Sequence, residues 1–269
     1  LFLKNTHSLE HALFILDKFY LCSGLKINRD KTVAYWTGSA PKMKSSKLGI
    51  TWTDKPFKTL GIWFSKDFDE MIQLNYNERI KKFTQLLNIW KQGRLSLKGK
   101  ITVLKTLALP ILNYTPSVLF IPQKIVDTVE NIMFKFLWDG KPQKIKKSTI
   151  INSISEGGLK MIDFKSFIKS QKIMWIKRLL NESNARWKVL TWKLLGANKM
   201  QVLSKPLPCH LQEKPILFYQ QILEFWFELH GPEPENTEEI MKEIIWYNRY
   251  ILIDKKPIFK GYQNWVSKG

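Results

Sequence analysis

A run of cations surrounds a predicted helix start near the middle of this 269-residue chain, in the stretch GRLSLKGK. Arg94 lies two residues before Ser96, and Lys98 lies two residues after it. Serine is a preferred N-cap, and the unpaired N–H groups of a helix start favour an anion such as phosphate. Arg94, Lys98 and Lys105 recur at spacings of four and seven residues, which places them on one helix side largely apart from the apolar stripe. The pattern predicts phosphate contact, with a merely solvated basic face as the alternative.

The charge of the whole chain agrees with that prediction. Lys and Arg total 43 against 23 Asp and Glu, a formal net charge of +20 with a pI near 9.8. Residues 74–150 contain 14 cations and only four anions. The 16 Phe, 8 Tyr and 11 Trp add aromatic faces, on which nucleic-acid bases stack. The residues predicted to bind nucleic acid are Lys81, Lys82, Arg94, Lys98, Lys100, Lys105, Lys144, Lys146 and Lys147.

Other catalytic or metal-binding chemistry has less support in the residues. The acidic cluster Asp67-Phe68-Asp69-Glu70 lies just before a helix predicted from Leu74, where acids stabilise the positive helix end. A site for catalytic metals is the alternative. The histidines lack partners at ligand spacing apart from the adjacent Cys209 and His210, and two cysteines cannot build a disulfide framework. We predict neither a metal site nor a cofactor in this chain.

The apolar segments are too short to cross a bilayer. The longest, from Ala108 to Pro122, is interrupted by Asn113 and Pro116 and is shorter than the roughly 20 residues that a span needs. The chain starts at Leu1 without a signal-peptide pattern. We therefore expect a fragment of a longer intracellular protein, found in the cytoplasm and nucleus and not in a membrane.

The first part of the chain mixes helical and extended patterns. Ser8 precedes apolar residues at helical spacing, and Ser23-Gly24 ends them, so Ser8 is the predicted N-cap. β-branched and aromatic residues at 31–37 predict a strand. A hairpin is predicted across the turn-like TDKP sequence of residues 53–56, with residues 48–52 and 57–64 as its strands.

Beyond residue 74 the apolar residues recur with the period of helices. Trp90 is predicted to anchor the core, and Pro110 to kink or end the second helix. Acids dominate from Glu213 to Asp254, after a boundary near the prolines of residues 203–215. The predicted fold class is a mostly helical α+β. Four stripes share the helical spacing: Ile80, Phe83, Leu87 and Trp90; Ile101, Leu104, Ala108 and Ile111; Ile125, Val129, Ile132, Met133 and Phe136; and Phe164, Ile168, Gln171, Trp175 and Leu179.

Several stretches, in this order, resemble the reverse transcriptase of LINE-type retrotransposons, those without long terminal repeats. SGLKINRDKT at residues 23–32 and TLGI at residues 59–62 are similar to the late palm motifs D and E. WKQGRLSLKGKITVLKTLALP (90–110), FLWDGK (136–141) and GGLKMIDF (157–164) are similar to the thumb and the helical segment after it. The resemblance covers roughly residues 1–195.

The resemblance implies four segments along the chain. Residues 1–72 would form the end of the palm (a helix, a strand and a β-hairpin), and residues 73–140 the helical thumb. Residues 141–202 would be a helical extension. Residues 203–269 would be an acidic, truncated C-terminal segment of helical or mixed structure, with no fold assigned to it.

The resemblance also implies roles for residues of the first segment. Lys31 would be the cation or general acid that assists pyrophosphate departure, with an exposed turn lysine as the alternative. Leu60, Gly61, Ile62 and Trp63 would form the primer grip, with a structural hairpin between palm and thumb as the alternative. The catalytic aspartates of motif C would precede residue 1. We therefore expect the chain to be inactive on its own.

The function that the resemblance implies is a share in an RNA-directed DNA polymerase. The thumb would lie along the minor groove of an RNA–DNA hybrid, the template–primer, and grip its phosphates. The expected partners are RNA, DNA and the fingers and palm of the parent protein, and Mg²⁺ is expected only for the intact parent enzyme. Two alternatives stay open: a non-enzymatic basic helical module that binds RNA or DNA, and a maturase-like splicing factor.

Overall fold

The computed structural model describes residues 3–36, 48–181, 183–195, 216–229, 236–241, 252–253 and 256–257. The chain divides into two compact units, Leu1–Asn77 and Glu78–Gly269. Helices account for most of the described residues, and the strands are short. The predicted fold class, a mostly helical α+β, is confirmed. The boundary between the units falls inside a long helix. The four segments that the resemblance implies, from the end of the palm to the acidic C-terminal segment, stay predictions.

Helix α1 spans Thr6–Ser23 in the first unit. Its N-cap is Asn5, whose Oδ1 accepts hydrogen bonds from the Ser8 backbone N–H at 2.8 Å and the Ser8 hydroxyl at 2.9 Å. The prediction of a Ser8 cap is therefore wrong: Ser8 is the third residue of the helix, where its own N–H needs an acceptor. Gly24 ends the helix with φ 71°, as predicted.

The strands of the first unit form two separate pairs: β1 Val33–Tyr35 with β2 Thr51–Thr53, and β3 Phe57–Thr59 with β4 Ile62–Phe64. The strand predicted at residues 31–37 contains β1. β1 and β2 are parallel, whereas β3 and β4 are antiparallel. The hairpin predicted across residues 53–56 is therefore wrong, because those residues connect β2 to β3, which do not pair.

The hairpin turn consists of Leu60 and Gly61, inside the segment that was expected to be one strand. Leu60 has φ 48° and Gly61 has φ 81°. Two-residue hairpin turns of type I′ require positive φ at both central residues, because only then does the turn match the twist of the strands. Glycine adopts that conformation without strain, whereas leucine rarely does.

Helix α2 spans Phe68–Lys91. It begins six residues before the predicted start at Leu74, because the Asp67 Oδ1 accepts a hydrogen bond from the Glu70 N–H at 2.7 Å and so caps the helix. Asp69 and Glu70 lie in its first turn, where carboxylates stabilise the positive helix end. The acidic cluster therefore belongs to the start of α2.

The apolar stripe of α2 is buried in its middle and open at its end. Phe83 and Leu87 are buried, but Trp90 is 37 % exposed. The prediction that Trp90 anchors the core is wrong. Its position in the last turn, before the chain turns at Gly93, leaves one side of the indole in solvent.

One helical run extends from α3, Leu97–Val103, through a π-helical turn, Leu104–Ala108, into α4, Leu109–Val118. Ser96 caps its start as predicted, because its Oγ accepts a hydrogen bond from the Gly99 N–H at 3.2 Å. Pro110 does not end the run. Pro110 is the second residue of α4 and directly follows the π turn, where the regular hydrogen-bond ladder of the α-helix is already interrupted.

Helix α5, Gln123–Leu137, contains the third predicted stripe, of which Val129, Met133 and Phe136 are buried and Ile125 and Ile132 are partly buried. Val126 and Leu137, which the prediction left out, are buried as well. A short helix, α6 Lys147–Ile151, and a 3₁₀ turn follow. Helix α7, Phe164–Leu180, contains the fourth stripe.

The turn between α6 and α7 depends on Gly158. The Ile150 carbonyl oxygen accepts hydrogen bonds from the N–H groups of Leu159 and Met161, at 3.1 and 3.0 Å. A Cβ atom on Gly158 would lie 2.1 Å from the Asn152 carbonyl oxygen. Only glycine allows the two backbone segments to approach this closely.

Helices α8, Arg186–Leu195, and α9, Leu217–Leu229, pack with α7 around a second part of the core. Gln221 of α9 pairs with the backbone of Ile121 in both directions, donating to its oxygen at 2.8 Å and accepting from its N–H at 3.2 Å. The buried members of this core are Ile176, Leu179, Leu195, Ile222 and Leu223.

The remaining described elements are short: α10 Thr237–Met241 and the antiparallel pair β5 Leu252–Ile253 and β6 Lys256–Pro257. The boundary predicted at residues 203–215 lies outside the described residues. Most of the predicted C-terminal segment, residues 203–269, lies outside them as well. Within the described ranges, no helix combines the length and the apolar character that a membrane crossing requires.

Candidate nucleic-acid interface

Two of the predicted phosphate-binding cations flank the capped start of α3. Arg94 and Lys98 are exposed on either side of Ser96, and neither forms an ion pair with a described residue. Lys105 lies seven residues after Lys98, inside the π-helical turn, and is half-buried. Surface lysines and arginines without a carboxylate partner can take a phosphate as their counter-ion.

Lys100 has a different environment, although it lies only two residues after Lys98. Its side chain is buried, and its Nζ lies 2.7 Å from the Asp139 Oδ1 and 3.3 Å from the Leu137 carbonyl oxygen. The hydrogen bond from Lys100 holds the pKa of the Asp139 carboxyl below its ordinary value. Lys100 therefore joins α3 to the end of α5, and its ammonium is not available to a phosphate as the sequence predicted.

Lys147 is also bound within the fold. Its Nζ lies 2.8 Å from the Glu130 Oε1 and 2.9 Å from the Asp163 Oδ1. Burial favours the neutral amine, but hydrogen bonds and attraction from the two carboxylates outweigh it and raise the pKa of Lys147. Lys147 thus connects α5, α6 and the N-cap of α7, while the neighbouring Lys144 and Lys146 are exposed.

The other predicted cations lie along α2. Lys81 and Lys82 are exposed, and the Lys82 Nζ lies 2.9 Å from the Glu78 Oε1, one helical turn earlier. An exposed pair at this spacing stabilises a helix by only about 0.3–0.5 kcal/mol. Lys82 can therefore exchange Glu78 for a phosphate at little cost, unlike Lys100 or Lys147.

In the first unit, the predicted primer grip is the turn and second strand of the β3–β4 hairpin. Leu60 is 87 % exposed at the tip, whereas Ile62 is buried. The Asn75 side chain fixes Trp63, accepting from its N–H at 2.9 Å and donating to its carbonyl oxygen at 2.8 Å. α2 thus supports the base of the hairpin and leaves its apolar tip in solvent.

Lys31, the predicted general acid, is exposed and lies in the turn before β1. Its backbone N–H donates to the Asn28 Oδ1 at 3.0 Å. This hydrogen bond fixes the backbone of the turn. The role of the Lys31 ammonium as a general acid stays a prediction.

The sequence prediction missed a recurrent use of buried lysines. Lys100, Lys172 and Lys188 are buried, and each donates to a carbonyl oxygen at the C-terminal end of a helix: Leu137 of α5, Leu119 after α4, and Asn181 after α7. The C-terminal end of a helix has unpaired carbonyl groups and a partial negative charge. An ammonium group at this end donates a hydrogen bond to a carbonyl oxygen and is attracted by the negative charge. For Lys172, the spacing Ile168, Lys172, Ile176 was the available signal, because it places the lysine on the apolar stripe.

The acidic cluster at the start of α2 gives no sign of a metal site. The Asp67 carboxylate accepts from the Glu70 N–H, and the Glu70 carboxylate accepts from the Ser65 hydroxyl. In the part of the chain that the structure describes, no group of three or more His, Cys, Asp or Glu side chains is placed to bind a metal ion.

Comparison with known proteins gives a distant match. No family model matches the chain. A putative ribonuclease H protein of Arabidopsis thaliana is 26 % identical to it over 125 residues, which is 44 % of this chain and 20 % of that protein. The matched part of the chain thus spans about a fifth of the length of that protein.

Proposed function

We propose that this chain is part of a LINE-type reverse transcriptase, in which it holds the template–primer. The observation that carries the proposal is the exposure of Arg94 and Lys98 on either side of the Ser96 cap, while Lys100 and Lys147 are bound to carboxylates. Arg94 and Lys98 are thus exposed and without a described carboxylate partner at the start of α3, within the thumb-like stretch of residues 90–110. The distant relative supports a nucleic-acid partner, because a ribonuclease acts on RNA.

Each of the two units has its own task in this proposal. Arg94 and Lys98, with Lys81, Lys82, Lys105, Lys144 and Lys146 beside them in sequence, neutralise phosphates of an RNA–DNA hybrid without reading bases. The hairpin tip at Leu60 provides an apolar contact for the primer terminus. These residues bind and orient the nucleic acid, and Mg²⁺ serves the polymerase reaction of the parent enzyme.

Binding to duplexes of one paired length tests the proposal. Fluorescence anisotropy would compare an RNA–DNA hybrid with a recessed DNA 3′ end, the same hybrid with blunt ends, and a blunt DNA duplex. The chain is expected to bind the recessed hybrid most tightly. Equal affinity for all three would replace the polymerase proposal with the basic binding module, and no binding to any of them would remove the nucleic-acid function.

A matched pair of variants connects that result to the interface. Arg94→Gln with Lys98→Gln removes two charges from the proposed interface, and Lys124→Gln with Lys135→Gln removes two exposed charges from α5. Only the first pair is expected to weaken binding to the recessed hybrid substantially. Equal weakening by both pairs would show that total charge, and not this surface, determines affinity.

A further inference from the structure

A second cationic surface lies on α7 and α8, away in sequence from every residue that the sequence analysis predicted to bind nucleic acid. Its members, named here the α7–α8 surface, are exposed: Lys177, Arg178, Arg186, Trp187 and Lys193. Trp187 is 37 % exposed. Their concentration in 17 residues is the starting observation.

Contacts through Trp175 bring the two helices together at this surface. The Arg178 guanidinium lies 5.2 Å from the centroid of the Trp175 ring. The Trp187 ring meets the Trp175 ring edge-on, with 5.7 Å between centroids. Arg178 of α7 and the partly exposed Trp187 of α8 therefore both contact Trp175, so that a guanidinium and an indole belong to one cluster of side chains.

The outer face of α8 carries two more cations. Lys188, Thr191 and Leu195 are buried, which defines the inner face of the helix. Arg186 and Lys193 are seven residues apart, nearly two full turns, and lie on the opposite side.

The cations of this surface are not neutralised by the described residues. Among described residues, none forms an ion pair with Lys177, Arg178, Arg186 or Lys193. Glu182, in the loop between the helices, is outside the described residues. An exposed indole among unpaired cations is the chemistry that binds a base and its flanking phosphates.

We propose that the α7–α8 surface binds single-stranded nucleic acid, with phosphates on the cations and one base stacked on Trp187. A single strand is required because a base inside a duplex cannot reach a side-chain ring. The surface goes beyond the template–primer interface and shares with it only the class of ligand. It gives the chain a second contact for an unpaired strand.

An oligoadenylate and an abasic oligomer of the same length separate stacking from charge. Arg178→Gln with Arg186→Gln is expected to weaken binding of both oligomers and to lower the salt slope by about 1.4, because each phosphate contact on a single strand contributes roughly 0.7. Trp187→Leu is expected to weaken oligoadenylate binding by about fivefold, the lower end for base stacking, and to leave abasic binding unchanged. Lys165→Gln, an exposed change on α7, is the control.

Trp187→Phe distinguishes a loss of stacking from a loss of folding. A phenylalanine ring still stacks on a base, so this variant is expected to bind oligoadenylate nearly as tightly as the parent. An equal loss for abasic and adenylate oligomers, or no effect of the arginine pair, would overturn the proposal. Polyglutamate competing as well as RNA would also overturn it, in favour of an acidic protein partner. The duplex variants Arg94→Gln and Lys98→Gln report on the proposed function separately, so each can fail without the other.

Discussion

Replacing Lys172 with methionine tests how the second unit holds a buried ammonium group. The Lys172 side chain is fully buried, its Nζ donates to the Leu119 carbonyl oxygen, and it lies 4.1 Å from the centroid of the Phe218 ring. Among described residues, no carboxylate forms an ion pair with it. Burial therefore lowers the pKa of Lys172 to about 7.

The size and sign of the effect follow from this pKa. An unfolded lysine has a pKa near 10.5, so the folded state disfavours the proton by roughly 3.5 units, or about 5 kcal/mol. Between pH 10.5 and 7 the unfolded chain binds more protons than the folded chain, so stability falls as pH falls through this window. Below about pH 7 the full penalty is present, and above about pH 10.5 it is absent.

Urea unfolding of the parent and of Lys172→Met across this pH range measures the effect. The unfolding free energy of the parent, relative to the variant, is expected to rise by about 1.4 kcal/mol per pH unit inside the window. Lys165→Met, which changes an exposed lysine on the same helix, is expected to show no such trend. A parent-minus-Met difference that stays constant with pH would refute the reasoning.

Three further predictions concern the turn at Gly158, the β3–β4 hairpin and the ion pair of the buried Lys100. Gly158→Ala is expected to destabilise the chain by more than about 2 kcal/mol in urea unfolding, because its Cβ would collide with the Asn152 backbone, whereas Gly93→Ala meets only ordinary contacts and serves as the control. Leu60→Asn is expected to keep or slightly raise stability, because asparagine tolerates positive φ, and to lower the preference for recessed 3′ ends. Leu25→Asn changes another exposed leucine and is expected to lower neither the stability nor that preference. An unchanged preference in Leu60→Asn would remove the primer-grip role. Lys100→Gln is expected to cost about 1–3 kcal/mol of stability and to leave the salt slope of binding unchanged, because its ammonium is bound within the fold. Lys98→Gln is expected to cost under about 0.5 kcal/mol and to lower that slope. The reverse pattern would contradict the assignment of Lys100 to the fold and of Lys98 to the phosphates.

Local signals in the sequence predicted the helices of the second unit well. The Ser96 cap and the apolar stripe of α5 depend only on residues a few positions apart, and both are confirmed. The start of α2 was missed although its signal was present: Asp67 is followed three residues later by Glu70, a common capping pattern.

Features that depend on distant residues were beyond the sequence. The parallel pairing of β1 with β2 joins segments 18 residues apart, and the Leu60-Gly61 turn lacks the usual asparagine or aspartate signal, whereas TDKP carries strong turn residues. The sequence analysis assigned Lys98 and Lys100 the same role, phosphate binding. Only the approach of the α5 C-terminus and Asp139 removes Lys100 from the surface.

The salt dependence of hybrid binding tests the central claim most directly, namely that Arg94 and Lys98 lie on phosphates of the template–primer. The slope of log K against log salt is expected to fall in magnitude by about 1.4–1.8 in the Arg94→Gln, Lys98→Gln variant, because each lost contact accounts for roughly 0.7–0.9. The fall should be the same for hybrids of different sequence, since phosphate contacts carry no base information. A variant that keeps the parent's affinity and slope would show that this face is only solvated, and would contradict the account.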